Sequence, residues 1–230
     1  ALFFPPLFAL FSGFPLLSFT FSSPYIFPPS ERVNPLTMWL FPLLFILFVA
    51  PDAFSQLCPG GIPMREATDI LAFHNRMRRR LQAGTYIVRG KYLPASKTPI
   101  KELLWDCSLE QSAQRWSDKC LFAHSNISGI GENVYTIRML PPMSMEDQGF
   151  YAAFSWAAEF QQYGWLSVNL TEEVYKTGIG HATQMVSAHT EKVGCGITLC
   201  DDAKFVIVTC HYHKPGNVMN SFTYDAVTPW

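Results

Sequence analysis

The chain has 230 residues, enough for one ordinary domain with an additional segment. Charged residues make up 15%, well below the usual ~25%, and aromatics also make up 15%. Of the 17 basic and 18 acidic residues, the first 55 positions hold only Glu31, Arg32 and Asp52; the 16 of each sign that remain argue against nucleic acid or an anionic membrane surface as the main partner.

Residues 1–37 are rich in Phe, Pro and Ser, and the six prolines from Pro5 to Pro29 would interrupt any helix. They precede Met38, the first methionine, and are expected to be an over-extended gene model or a disordered segment. From Met38 an apolar run, Trp39 to Ala50, is short for a membrane span of ~20 residues but suits a signal-peptide core. Small residues at Ala53 and Ser55 place cleavage near Ser55, so residues 38–55 read as a signal peptide and 56–230 as a single domain; an uncleaved anchor is the alternative. After cleavage no stable membrane span is expected.

All six cysteines (Cys58, Cys107, Cys120, Cys195, Cys200 and Cys210) lie after that point. An even count confined to the exported part implies three disulfides, with 15 connectivities open. The sequons Asn126-Ile127-Ser128 and Asn169-Leu170-Thr171 mark both asparagines as candidate glycosylation sites. Leader, cysteines and sequons together predict a secreted, extracellular glycoprotein.

Four helices are predicted in chain order. The first covers 65–83, with Ile70, Phe73, His74 and Met77 on one face and Gly84 as its stop. A second is capped by Ser108 with Gln111 in a capping box, and Leu109, Ala113, Trp116 and Cys120 form its inner stripe. A third follows Ser144, buries Phe150, Ala153, Phe154, Ala157 and Ala158, and stops at Gly164. A short fourth covers His181–His189. Strands are predicted at 134–137, 193–200 and 205–212, the last two joined by the turn Asp201-Asp202-Ala203-Lys204. The loop 85–101 is expected to be exposed. Segregated helices and a small antiparallel sheet give an α+β class, an α-β-α sandwich with the sheet between helical layers and disulfides stapling it.

Two imidazoles and two carboxylates, His124, Glu132, Glu159 and His181, have the chemistry to hold a divalent ion or share protons, although they lie on different segments. Ser125 beside His124 is a weak nucleophile candidate with no third orienting group. Arg76, Arg78, Arg79 and Arg80 read as a solvated helix face or a glycosaminoglycan contact. His211 and His213 alternate on one strand face as a possible second metal pair.

The motifs around these residues resemble a known family. His74-Asn75 with Arg78, His124-Ser125 with Gly131-Glu132-Asn133-Val134-Tyr135, Gly180-His181-Ala182-Thr183-Gln184 and the block Cys210 to Asn217 are similar to the ordered signatures of the cysteine-rich secretory protein/antigen 5/pathogenesis-related (CAP, or SCP-domain) superfamily. The stretch Trp105 to Glu110 resembles nematode venom-allergen-like and activation-associated secreted proteins.

This resemblance implies an α-β-α sandwich and a central cleft in which His124, Glu132, Glu159 and His181 meet as metal residues for zinc or another divalent cation. It implies the pairing Cys58–Cys107, Cys120–Cys200 and Cys195–Cys210. It also implies a non-enzymatic extracellular interaction or immunomodulatory effector with an extracellular protein partner. The alternative is a lipid or sterol carrier with a groove lined by Met139, Met143 and Met145, and a metal-dependent hydrolase ranks third. Three departures stand out: Ala182 and Ser187 replace aromatics of the family block, opening space near His181, and His211 replaces a common Asn. The cysteine-rich tail of channel-blocking relatives is not present after the last block, so channel blockade is not expected.

Overall fold

The computed structural model describes residues 57–59, 61–138 and 143–228. Residues 1–37, 38–55 and Met139 lie outside them.

The centre of the domain is a hairpin. Strand β5 (Lys192–Cys200) and strand β6 (Phe205–His213) pair antiparallel across the turn at Asp201-Asp202-Ala203-Lys204, whose first three residues all have positive φ. Strand β4 (Gly131–Arg138) pairs antiparallel with the other side of β6, setting Glu132 opposite His211 and Asn133 opposite Cys210. At the far edge the two-residue strand β3 (Leu104–Trp105) joins β5 in parallel, giving the order β3-β5-β6-β4. The expected antiparallel sheet is therefore present with a short parallel edge added.

Helices cover both faces. Helix α1 (Met64–Gln82), helix α3 (Gln148–Tyr163) and helix α5 (Gly180–Val186) pack together over one face, where the larger apolar core gathers; helix α2 (Cys107–Ser117) lies on β5 and β6. A one-turn helix α4 (Glu172–Lys176) precedes α5. The loop 85–101 carries a small hairpin, β1 (Ile87–Val88) and β2 (Lys91–Tyr92), and it is not simply exposed, since Val88, Leu93 and Ile100 are buried.

Several local expectations are corrected. Helix α2 is capped by Asp106, whose Oδ1 accepts from Ser108 N and Leu109 N at 2.9 and 3.1 Å, two residues earlier than the expected Ser108 cap. Its buried residues are Glu110, Ala113 and Ser117, and Leu109, Trp116 and Cys120 are only partly covered. The sheet decides this: a Cβ at Gly194 would sit 2.2 Å from Glu110 N, and one at Gly196 2.3 Å from Gln114 Cα. Two glycines on β5 let the helix backbone come down onto the strand.

Helix α3 begins at Gln148 and not after Ser144, and no local side chain caps it. Glu66 on α1 does so instead, accepting from Asp147 N at 2.7 Å and Gly149 N at 2.9 Å. The helix buries Ala152, Ala153, Trp156, Ala157 and Phe160, while Phe150 and Phe154 are exposed. Helix α5 ends at Val186, short of the expected His189, because Ser187 turns extended and presents its carbonyl to Arg78.

The three bridges Cys58–Cys107, Cys120–Cys200 and Cys195–Cys210 close with Cα separations of 5.5, 5.8 and 4.1 Å. Each stabilises the fold by roughly 2–4 kcal/mol. The run of arginines is not one solvated face. Arg78 is fully buried, donating to the carbonyls of Lys101, Met185, Ser187 and Thr190, and Arg79 pairs with Glu102. No helix among the described residues is long and apolar enough to cross a membrane.

Candidate functional site

Successive strand residues point to opposite faces, so Glu132 and Asn133 at the start of β4 look to different sides of the sheet. Glu132 lies on the α2 side with His211, opposite it on β6, and with the loop that follows α2. Asn133 lies on the other side and donates to the carbonyl of His181 and to the Tyr212 hydroxyl, both at 3.1 Å. Gly131 has no room for a side chain, because a Cβ there would be 2.1 Å from Gln184 Oε1. The glycine of one sequence block is thus required by the glutamine of another.

Two histidine–carboxylate arms result. In the first, Glu132 Oε1 accepts from His124 Nδ1 at 2.7 Å and from Ser125 N at 2.9 Å, and Oε2 accepts from His211 Nε2 at 2.9 Å. Burial pushes the Glu132 carboxyl up, but the donors His211, Ser125 and His124 outweigh it and bring its pKa down to about 2. In the second, Glu159 on α3 accepts from His181 Nδ1 at 2.5 Å, and its other oxygen takes His181 N and Ala182 N, both at 3.0 Å. Trp156, one helical turn before Glu159, stacks on the His181 ring with centroids 6.1 Å apart.

Both carboxylates accept at Nδ1, which places a ring proton there; in the neutral imidazole Nε2 of His124 and of His181 is then the nitrogen with the free lone pair. His124, Glu132, Glu159 and His181 line one cleft of about 310 Å³ with Tyr175 and Asn217. A second compartment of about 270 Å³ shares His124, Glu132, Tyr175 and Asn217 and adds Ser125, Asn126 and Gln184.

All four predicted residues therefore reach one cleft, but not as a compact ligand cluster. Among the described residues the only group of three potential ligands with atoms within 4.8 Å of one another is Cys58, Cys107 and Glu110. Those sulfurs are in a disulfide, and the Glu110 oxygens hold Ile62 N and Trp105 Nε1. Glu132 and Glu159 orient the imidazoles, and Nε2 of His124 and of His181 are the atoms suited to an ion.

The remaining expectations fall out differently. His211 is fully buried with both ring nitrogens engaged, by Glu132 and by Ser112 Oγ at 3.1 Å, whereas His213 is exposed, so the two form no metal pair. Ala182 and Ser187 are buried and do not line the cleft; Ser187 Oγ donates to the Gly216 carbonyl. Ser125 turns both its N–H and its side chain to Glu132, away from a role beside His124. Met143 and Met145 are partly buried and pack against the core. Tyr175 and Asn217 were not singled out from sequence; Asn217 stands in the last family block and carried a signal, and Tyr175 carried none.

The family model of the cysteine-rich secretory protein (CAP) family matches residues 71–212. The chain belongs to the CAP family. It is 32% identical over 177 residues to Venom allergen 3 homolog of Dinoponera quadriceps, covering 72% of this chain and 74% of that protein. It is 30% identical over 185 residues to Ancylostoma secreted protein of Ancylostoma caninum, covering 76% of this chain but only 43% of that relative, so it spans less than half the length of that protein. Among solved structures it is similar to BmVAL-1, with 36% identity, a TM-score of 0.70, and coverage of 75% of this chain and 88% of that one. It is also similar to NaASP2 with Zn2+, with 27% identity, a TM-score of 0.68, and coverage of 74% and 90%. These CAP relatives share the layered fold that carries the cleft.

Proposed function

We propose that the protein is a secreted, non-enzymatic CAP-domain effector that acts on an extracellular protein partner and holds a divalent cation in its His/Glu cleft. The observation that carries the cation reading is that two imidazoles from distant segments face one cleft with their Nδ1 atoms held by carboxylates. The donor set fits zinc or a similar ion, for which neutral imidazole is a preferred ligand. His124 and His181 would hold it through Nε2, Glu132 and Glu159 would orient them, and the bound ion would supply a cationic anchor for a partner's carboxylate or carbonyl. Two protein ligands make a modest site with open positions. The solved relative NaASP2 with Zn2+ supports this choice of ion.

The test is zinc titration by calorimetry on the disulfide-bonded chain, with His124→Ala and His181→Ala. Each substitution is expected to weaken binding at least tenfold; equal binding by the double variant would refute the assignment.

A lipid-carrier reading is favoured by a separate observation. A groove of about 340 Å³ runs between α1 and α3, lined by Phe73, Met77, Tyr86, Phe150 and Phe154, with Arg76 and Arg80 on its walls. Apolar walls with two guanidinium groups suit an amphiphile with an anionic head. Native mass spectrometry for co-purifying fatty acid or sterol, compared with Phe154→Asp, separates this reading from the first. A metal-dependent hydrolase has no activated nucleophile at Ser125 to recommend it.

A further inference from the structure

The two arms of the cleft are secured by different means. Glu159 is fixed by backbone amides, the N–H groups of His181 and Ala182 at the start of α5. Glu132 has only the Ser125 amide of that kind, and its Oε2 rests on His211 Nε2 at 2.9 Å. The His211 ring is itself held, with no exposed side-chain surface and with Nδ1 3.1 Å from Ser112 Oγ on α2. An ionised carboxylate only accepts. His211 therefore carries a proton on Nε2; in the neutral ring Ser112 donates its hydroxyl hydrogen to Nδ1, and the chain runs Ser112, His211, Glu132, His124.

We propose that His211 is a positioning residue of the cleft: by holding Glu132 it fixes His124 in the tautomer that carries its proton on Nδ1 and turns a lone pair on Nε2 into the cleft. A carboxylate released from His211 would keep its Ser125 contact but lose the donor that holds Oε2 and, with it, much of its orientation, and an exposed ring like His124, with 59% of its side chain accessible, would then sample both tautomers. His181 serves as an internal reference, because its carboxylate is anchored by backbone. The consequence for cation binding rests on the cleft reading above; the tautomer assignment does not.

The experiment is long-range nitrogen–proton NMR of the imidazoles in the ¹⁵N-labelled, disulfide-bonded chain, with zinc titration in parallel. Wild-type protein is expected to show His124 and His181 both as the Nδ1–H form. His211→Phe keeps the ring volume and removes the donor; His124 is expected to become a tautomer mixture with His181 unchanged, and zinc affinity is expected to fall roughly 10–100-fold. His211→Asn places an amide donor at the same register position and is expected to restore the His124 signal and most of the affinity.

An unchanged His124 tautomer in folded His211→Phe overturns the proposal. Should that variant not fold, Ser112→Ala tests the same chain from its far end, and unchanged His211 and His124 signals there overturn it equally. Wild-type protein that shows the tautomer shift on substitution but takes up no zinc refutes the cation reading and leaves the positioning role standing.

Discussion

Acid should destabilise this protein first through His74. The ring is completely buried in α1; its Nδ1 donates to the Ile70 carbonyl at 2.8 Å and its Nε2 accepts from the Tyr212 hydroxyl at 2.9 Å. Tyr212 in turn accepts from Asn133, which also donates to the His181 carbonyl, so the neutral imidazole is tied to the cleft. Burial lowers the His74 pKa to about 4, against the pull of the Ile70 hydrogen bond and with the Arg78 charge adding to the effect. In the unfolded chain the same ring takes a proton near pH 6.5.

Between those values only the unfolded state binds the proton, so stability falls as pH drops from 6.5 to 4. A ring that titrates near 4 when folded and near 6.5 when unfolded is worth about 3 kcal/mol. Urea unfolding at intervals from pH 7.5 to 4, with disulfides intact, should show that loss in the wild type, and His74→Gln should lose about 3 kcal/mol less over the same span. Equal slopes for the two proteins, or a His74 resonance titrating near 6.5 in the folded protein, would refute the reasoning.

Glu132, held at a pKa of about 2 by its donors, adds a second, lower window: its contribution is present above pH 4.5 and is lost as pH falls toward 2, so Glu132→Gln should flatten the stability profile there, read by the same unfolding series. Gly196→Ala should drive a methyl into the α2 backbone and cost about 3 kcal/mol, roughly a 10 °C lower Tm by calorimetry. Arg78→Met strips the partner from four carbonyls, three of them in buried contacts, and should cost more than about 4 kcal/mol in denaturant unfolding, with Arg78→Lys recovering little, since one ammonium does not span the same fork of acceptors. Asn126 is exposed in a left-handed turn on the cleft rim, whereas Asn169 Oδ1 is buried and the Thr171 hydroxyl caps α4. Mass spectrometry of protein secreted from eukaryotic cells should therefore find one glycan, lost in Asn126→Gln and kept in Asn169→Gln.

The amino-acid order by itself determined the hairpin of β5 and β6, the extent of α1 and the family, because these depend on short-range signals: two β-prone runs around the turn Asp201-Asp202-Ala203-Lys204, a glycine stop, and contiguous motif blocks. It also carried His124, Glu132, Glu159 and His181, since each stands in or beside a recognisable block. Tertiary structure decided what each of those residues does. The expected capping box at Ser108 lost to Asp106, and the start of α3 was set by Glu66, some eighty residues away, which no local pattern records. The buried face of α2 was chosen by two glycines on a strand that the helix periodicity cannot see. Likewise, the division of the cleft into imidazoles that face it and carboxylates that steer them follows from hydrogen-bond geometry between segments, and so does the role of His211: strand pairing puts it opposite Glu132, and that register exists only once the sheet has formed.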